Sequence, residues 1–270
     1  MTIAPWTFAQ RPRAPRQATV TLIVFGEPTE ELPMSLARFG IPTAAAAAAC
    51  DVRRFARAEE RAWFDGWRTG SLRAIATIDL GAALATLDAA DVLHTISVEI
   101  DGPADLSYLQ AAWGLARWFA ARGATTVLDA HAMTFTPAAA LPPAGGPLDV
   151  AHEVRVIYET ESTRPDQAHA IHTRGLRKFG APDLVALCRD DDVKLVGSAL
   201  AELADSIARG LDLGVPRHRV DVMPGVAWAV VPDEHGLGAL LQLNNTARVL
   251  VDADGHDLVG VADRLRRAPS

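Results

Sequence analysis

The sequence is poor in cysteine, and this scarcity excludes several kinds of protein. Its 270 residues include two cysteines, Cys50 and Cys188. Their separation matches neither the paired spacing of zinc ligands nor a CxxC redox motif. We therefore expect two reduced, buried thiols, as in a protein of the reducing cytoplasm.

Motifs for nucleotide binding and for covalent catalysis are also missing. No GxGxxG or GxxxxGK[ST] segment occurs, so nothing indicates a phosphate site of the Rossmann or P-loop kind. No GxSxG segment presents a serine nucleophile, and no HExxH segment presents two zinc ligands on a helix. The sequence thus predicts no cofactor and favours a protein that is not an enzyme.

Long apolar runs and an excess of positive charge are absent too. No run approaches the roughly 18 apolar residues that span a bilayer, and the net charge is −7. A negative chain disfavours broad binding to nucleic acid or to an anionic membrane. Residues 1–17 hold arginines among prolines without the apolar core of a targeting segment, so we expect a flexible tail.

What is present is an ordinary globular composition with one interruption. Hydrophobic residues make up 49% and charged residues 22% of the chain, which is typical of folded domains. Residues 137–149 carry four prolines and two glycines without any periodicity, which is typical of a linker or long loop. This linker would separate an N-terminal α/β half at 18–136 from a C-terminal α+β half at 150–268.

Hydrophobic periodicity predicts the elements of the N-terminal half. We expect a buried strand at 18–25, helices at 30–39 and 44–65, a strand at 72–78 and a helix at 81–90. A strand at 94–100, a helix at 105–121 and a strand at 125–131 follow. This last group has the length and order of a βαβ unit.

The C-terminal half alternates strands and helices in the same way. Strands are expected at 153–160 and 184–187, with a helix at 164–179 between them and another at 192–209. Two hairpins follow, 220–223 with 226–231 and 247–251 with 256–261. The sequence predicts an α+β fold of mixed sheets with helices packed on one face, as one sheet per half or one shared sheet.

The helix at 164–179 is predicted from its ends. Ser162 or Thr163 can cap it, Pro165 fits the first turn, and Asp166 suits the third helical position. Gly180 and Pro182 would stop it. Gly175 lies in its buried stripe, and a mid-helix glycine costs about 1 kcal/mol against alanine. We therefore expect close backbone packing at Gly175.

The same helix would carry three cations on its other side, Arg174, Arg177 and Lys178. Lysine is rare here, since Lys178 and Lys194 are the two in the chain, and its compact ammonium differs from the guanidinium fork. One hypothesis is that these residues bind a protein partner or a small anionic ligand. The alternative is a solvated basic face without a ligand.

Histidines three apart on that helix support a second hypothesis. His169 and His172 have a spacing at which two imidazoles can share a metal, as in a metal-dependent hydrolase. Further ligands are available elsewhere in the chain: Asp129, His131, Glu159 and Glu161. The alternative is a hydrogen-bonded structural pair of histidines. Asn244 and Asn245, the two asparagines of the chain, either bind a ligand or form a turn.

The segment Gly175–Leu184, GLRKFGAPDL, is similar to a recurrent motif, G-[LM]-x-K-F-G-x-P-[DE]-L. In this segment the chain resembles an uncharacterised bacterial family, catalogued as a domain of unknown function, whose members carry the motif late in the chain. The resemblance implies a bacterial α/β domain. It implies no activity, cofactor or catalytic residue.

Overall fold

The structure is a computed structural model that describes residues 3–10, 12, 16–159, 169–213, 218–223 and 226–253. The chain forms two compact units, one of Met1–Phe8 and Gln17–Leu148 and the other of Ala9–Arg16 and Asp149–Ser270. The boundary between Leu148 and Asp149 falls at the end of the proline-rich segment 137–149. Each unit has its own sheet, and the molecule is an α+β fold.

The N-terminal unit is built on a five-stranded sheet of order β2-β3-β1-β4-β5. Its elements in chain order are β1 (Gln17–Phe25), α1 (Leu36–Phe39), α2 (Ala44–Ala48), β2 (Asp51–Ala56), α3 (Arg61–Gly66), α4 (Gly70–Leu80), α5 (Leu84–Asp88), β3 (Val92–Asp101), α6 (Ser107–Ala120), β4 (Thr126–Asp129) and β5 (Thr134–Pro137). All of its described strand pairs are antiparallel.

The central strand β1 is buried on both of its sides. Ile23 and Phe25 belong to a core cluster that also contains Phe64 and Leu80, while α6 lies against β1 and β3. An uninterrupted aliphatic run such as TLIVF is typical of a strand covered on both faces. The sequence predicted this strand correctly.

The predicted βαβ unit is present in a split form. Strands β3 and β4 both pair antiparallel with β1, so they run in the same direction with β1 between them. Helix α6 connects them and buries Leu109, Trp113 and Ala116, as its spacing predicted. The three elements are therefore confirmed, although the two parallel strands are not neighbours.

Three elements of the N-terminal half differ from expectation, the first being the helix expected at 30–39, which is limited to Leu36–Phe39. The single helix expected at 44–65 is wrong over its middle, because Asp51–Ala56 forms β2 and pairs along its length with β3, whereas its two ends are helical in α2 and α3. The strand expected at 72–78 is also wrong, because these residues lie in α4, which buries Ala76 and Leu80. A separation of four residues places both side chains on one helix face.

One stretch of this unit, the 19 residues Gly70–Asp88, is long and apolar enough to cross a membrane by length and composition, with a mean hydropathy of 1.2 over 18 of its residues. It consists of α4, a 3-10 turn and α5. Such a composition is weak evidence for a span, since core helices share it. Here Ala76, Leu80 and Leu87 belong to the core cluster.

The C-terminal unit has a six-stranded mixed sheet of order β6-β7-β8-β11-β10-β9. Its elements are α7 (Val150–Glu153), β6 (Arg155–Tyr158), β7 (His169–Arg174), β8 (Asp183–Cys188), α8 (Val193–Ala208), β9 (His218–Met223), β10 (Val226–Pro232), α9 (Leu237–Leu240) and β11 (Ala247–Asp252). Strands β8 and β11 are parallel, and the other described pairs are antiparallel.

The helix expected at 164–179 is wrong over its described part. Residues 169–174 form β7, which pairs with β6 on one side and β8 on the other, so two ladders satisfy its backbone polar groups. A 3-10 turn, Leu176–Phe179, follows it. The capping residues Ser162, Thr163, Pro165 and Asp166, like Glu161, lie outside the described residues.

Other predictions for this half are confirmed. Helix α8 buries Val196, Leu200, Leu203 and Ile207 on one face, and it contacts β7 and β8. Strands β9 and β10 form the first expected hairpin. The second expected hairpin is not confirmed, since β11 pairs with β8 on one side and β10 on the other and residues 256–261 lie outside the described residues.

The described part of the expected tail is held by hydrogen bonds. The backbone N–H of Trp6 donates to Gln110 Oε1 at 2.9 Å, and its indole donates to Gly146 O at 2.8 Å. Arg16 is buried and donates to carbonyls of the C-terminal unit. Each unit therefore contains a short piece of the N-terminal segment as well as its main stretch of chain. Composition alone did not reveal this.

Candidate functional site

Lys178, expected on an exposed face, is completely buried. Its side chain is 0% exposed and its ammonium forms an ion pair with the Glu153 carboxylate, which is itself buried. Lys178 lies in the 3-10 turn after β7, and Glu153 ends α7. A lysine in this position holds two segments of one unit together and does not face solvent.

The two arginines of the predicted cluster contact one loop. Arg174 is 7% exposed, and its Nη2 donates to Leu241 O at 3.0 Å and to Gln242 O at 3.3 Å. Arg177 remains half-buried, and its Nη1 donates to Asn244 O at 2.9 Å. Burial lowers the pKa of Arg174, and the charge of Asp183 opposes this shift. Both arginines therefore hold residues 241–246, which we name the α9–β11 loop.

Asp183 is the polar centre of this region. Its carboxylate is 0% exposed; Oδ1 accepts from Thr173 Oγ1 at 3.0 Å and from Leu176 N at 3.2 Å. Its Oδ2 accepts from Asn245 Nδ2 at 2.9 Å. Burial raises the pKa of Asp183 to about 6, although these hydrogen bonds and Arg174 favour the charged form. One carboxylate thus joins β7, the 3-10 turn and the α9–β11 loop.

Gly175 has the close backbone contact that was expected, in a different conformation. It lies after β7 with φ +117°, and a Cβ built on it would come within 2.3 Å of Glu153 O. The segment Gly175–Leu184 thus performs structural roles. Gly175 permits the close approach, Lys178 pairs with Glu153, and Asp183 binds the loop.

A cleft of about 470 Å³ lies beside the α9–β11 loop. Its apolar wall includes Pro232, Ala239, Leu243 and Ala247. Such a volume is in the range of small-molecule sites. The cleft is formed by α9, the α9–β11 loop and the adjoining ends of β10 and β11.

The polar groups at this cleft differ in how many hydrogen bonds they form with the protein. The Asp233 carboxylate accepts from Leu237 N at 2.8 Å and Gly238 N at 2.7 Å. Asn245 donates to Asp183 and to Ala181 O. Arg248 is the one cation among the described lining residues. Its side chain is half-buried, and its guanidinium forms no hydrogen bond or ion pair with the described residues.

The two histidines do not form the predicted metal pair. On a strand, side chains three apart point to opposite faces. His169 Nε2 lies 3.3 Å from Asp190 Oδ1, whereas His172 Nε2 lies 2.9 Å from Glu159 Oε1. Burial lowers the pKa of His172, and Glu159 opposes this shift. The described residues contain no group of three or more potential metal ligands.

Asp129, another of the predicted ligands, has structural partners in the N-terminal unit. Asp129 ends β4, and its Oδ1 accepts from His131 N at 2.9 Å and Ala132 N at 3.0 Å. The carboxylate therefore shapes the turn after the strand.

Both cysteines are free, as expected, and burial raises the pKa of each thiol to about 11.

Sequence reasoning missed Arg248 and found Asn245 without its role. The pair Asn244 and Asn245 indicated a turn or a ligand site, and the structure places it in the α9–β11 loop. Arg248 had no such indication, because a single arginine in a strand pattern is common on surfaces. No family model, no curated protein and no solved structure matches the chain.

Proposed function

We propose that this chain is a non-catalytic cytoplasmic binding protein that holds a small anionic ligand in the cleft at Arg248. The sequence predicted either a protein partner or a small anion, and the cleft supports the anion. The proposed site therefore moves from Arg174, Arg177 and Lys178 to Arg248. Membership of the bacterial family of unknown function is part of this proposal and depends on Gly175–Leu184 alone.

The observation that carries the proposal is the state of Arg248. A guanidinium has five N–H donors and keeps its charge at any ordinary pH. In the cleft these donors have no acceptor among the described residues, whereas Arg174 and Arg177 are bonded to carbonyls. An oxyanion would provide the missing acceptor.

The walls indicate which anions suit the cleft. Pro232, Leu243 and Ala247 offer apolar surface beside one cation, and the Asp233 carboxylate also lines the cleft, so a monoanion with a short hydrocarbon chain fits better than a phosphate of higher negative charge. Burial of each methylene would add about 0.8 kcal/mol to the binding free energy. We therefore choose hexanesulfonate as the probe and inorganic phosphate as the comparison.

The test is calorimetric titration of the whole chain with both anions. We expect hexanesulfonate to bind more tightly than phosphate, and Arg248→Ala to weaken its binding by about ten-fold or more, as loss of a charged hydrogen bond does. Arg189→Ala is the matched control, because Arg189 is an exposed cation of the same unit. Equal binding by Arg248→Ala and the parent would reject the site.

A metal-dependent hydrolase using His169 and His172 was the alternative. Their placement on opposite faces of β7 gives no support to a shared site. Elemental analysis of protein purified without added metal tests this alternative independently. A stoichiometric transition metal that is lost in His169→Ala would restore it.

A further inference from the structure

The α9–β11 loop is attached to one segment of the chain by five sets of contacts, one of which is the hydrogen bond from Asn245 Nδ2 to Ala181 O. Arg174 binds Leu241 O and Gln242 O, and Arg177 binds Asn244 O. Asn245 Nδ2 donates to the Asp183 carboxylate. The backbone N–H of Asp183 donates to Thr246 O at 2.9 Å. The shape of this loop, and with it one wall of the cleft, therefore depends on residues 174–183.

We propose that Asp183 is a positioning residue for the cleft, which holds Asn245 and the α9–β11 loop in the form that binds an anion. This inference rests on the proposed function. Asp183 is fully buried, so it acts through Asn245, which lines the cleft.

The geometry makes the Asn245 contact the sensitive one. Oδ1 of Asp183 already accepts two hydrogen bonds, from Thr173 and Leu176, whereas Oδ2 accepts from Asn245. A proton added to the carboxylate therefore goes to Oδ2 and meets an N–H donor. Because two donors repel each other, the Asn245 amide must turn away, and its bond to Ala181 O is disturbed with it.

Protonation of Asp183 is accessible because burial raises its pKa to about 6. The charged groups on neighbouring elements are Arg174 on β7, Arg177 on the 3-10 turn and Arg248 on β11, and all three stay charged over this range. A buried ion pair and one histidine also lie on neighbouring elements.

Lys178 and Glu153 form a closed ion pair on the 3-10 turn and α7. His172 on β7 also titrates, and its pKa is lowered by burial while Glu159, which also acts on Arg174, opposes this shift. The variant His172→Gln therefore serves as the control for pH effects that do not come from Asp183.

The experiment measures the affinity for hexanesulfonate from about pH 5 to about pH 8, since a sulfonate keeps its charge throughout. For the parent and for His172→Gln we expect the dissociation constant to rise about ten-fold as the pH falls through about 6. Asp183→Asn should bind weakly at every pH. Asn245→Ala should also bind weakly at every pH. Because Asn245 lies outside the core, this variant provides the test if Asp183 variants fold poorly.

A flat parent profile, or Asn245→Ala retaining the parent profile, would overturn the inference. A second readout separates it from the proposed function. The side-chain amide signals of Asn245, one of two asparagines in the chain, should shift in NMR spectra as Asp183 titrates. Absence of this shift overturns the positioning role even if the sulfonate binds. Absence of binding at every pH overturns the proposed function.

Discussion

At the scale of single residues, Lys178 shows how burial changes the meaning of a charge. We expect Lys178→Met to lower the free energy of unfolding by about 3–5 kcal/mol, because it leaves the Glu153 carboxylate buried without its cation. The double variant Lys178→Met with Glu153→Leu should recover most of that loss. Urea denaturation measures both.

Lys194→Met provides the control for this prediction. Lys194 is exposed on α8, and its replacement should change the free energy of unfolding by less than about 0.5 kcal/mol. If Lys178→Met and Lys194→Met unfold at the same urea concentration as the parent, the buried ion pair does not contribute as described.

Gly175 combines two constraints that a second glycine separates. Its positive φ disfavours any side chain, and a Cβ would approach Glu153 O to 2.3 Å. Gly236 also has a positive φ, of +69°, but a Cβ there meets nothing within 4 Å. We expect Gly236→Ala to cost about 1 kcal/mol from backbone strain.

Gly175→Ala should cost several kcal/mol, because the backbone of Glu153 must move as well. Thermal or urea unfolding of both variants measures the difference. Equal losses for the two substitutions would mean that the contact with Glu153 O contributes nothing beyond the strain.

At the scale of elements, two helical glycines test packing against intrinsic propensity. Replacing a mid-helix glycine by alanine favours the helix by about 1 kcal/mol. In α8, a Cβ at Gly197 would lie 3.3 Å from Ile171 Cδ1, the end of a side chain that can move. In α6, a Cβ at Gly114 would lie 2.3 Å from Ile41 Cγ1 and 3.0 Å from Phe39 O.

We therefore expect opposite outcomes from the same change. Gly197→Ala should leave the free energy of unfolding unchanged or raise it by up to about 1 kcal/mol. Gly114→Ala should lower it by about 1–3 kcal/mol through overpacking. Unfolding curves recorded by circular dichroism decide this, and a stabilised Gly114→Ala would contradict the packing argument.

These elements also show which parts of the fold were readable from sequence. Helices α6 and α8 were predictable because their apolar residues recur at helical spacing over the full length. Strand β7 was not predictable. The apparent capping residues before it and Gly180 after it are local features typical of a helix, whereas its pairing with β6 and β8 is a tertiary interaction. Strand β2 was obscured by the alanine run before it for the same reason.

At the scale of the whole molecule, the cleft was beyond the reach of local patterns. The residues that shape it come from 174–183 and 232–248, and the parallel pairing of β8 with β11 brings them together. Residues in one segment form hydrogen bonds with residues in the other, and the two segments are far apart in the sequence. Lys178 stood out in the sequence as one of two lysines, but spacing alone could not show that the partners of Lys178 and Arg174 were internal.

The division into units makes a final prediction at this scale. Residues 9–16 belong to the C-terminal unit, although both sequence neighbours of this segment belong to the N-terminal unit. Arg16 is buried there. Its Nη1 donates to Phe179 O at 3.4 Å and Ile207 O at 3.2 Å, and its Nη2 donates to Leu211 O at 2.5 Å.

Arg16 thus satisfies carbonyls at the 3-10 turn and at the C-terminal end of α8, where a cation is favourable. We expect Arg16→Ala to lower the free energy of unfolding of the C-terminal unit by about 3 kcal/mol, since buried acceptors lose a charged donor. Hydrogen exchange followed by mass spectrometry should show faster exchange at residues 176–181 and 203–213. The strands β1 and β3 should exchange as in the parent, and so should every region of the control Arg189→Ala. Unchanged exchange at 203–213 in Arg16→Ala would show that the N-terminal segment is not needed to hold the end of α8.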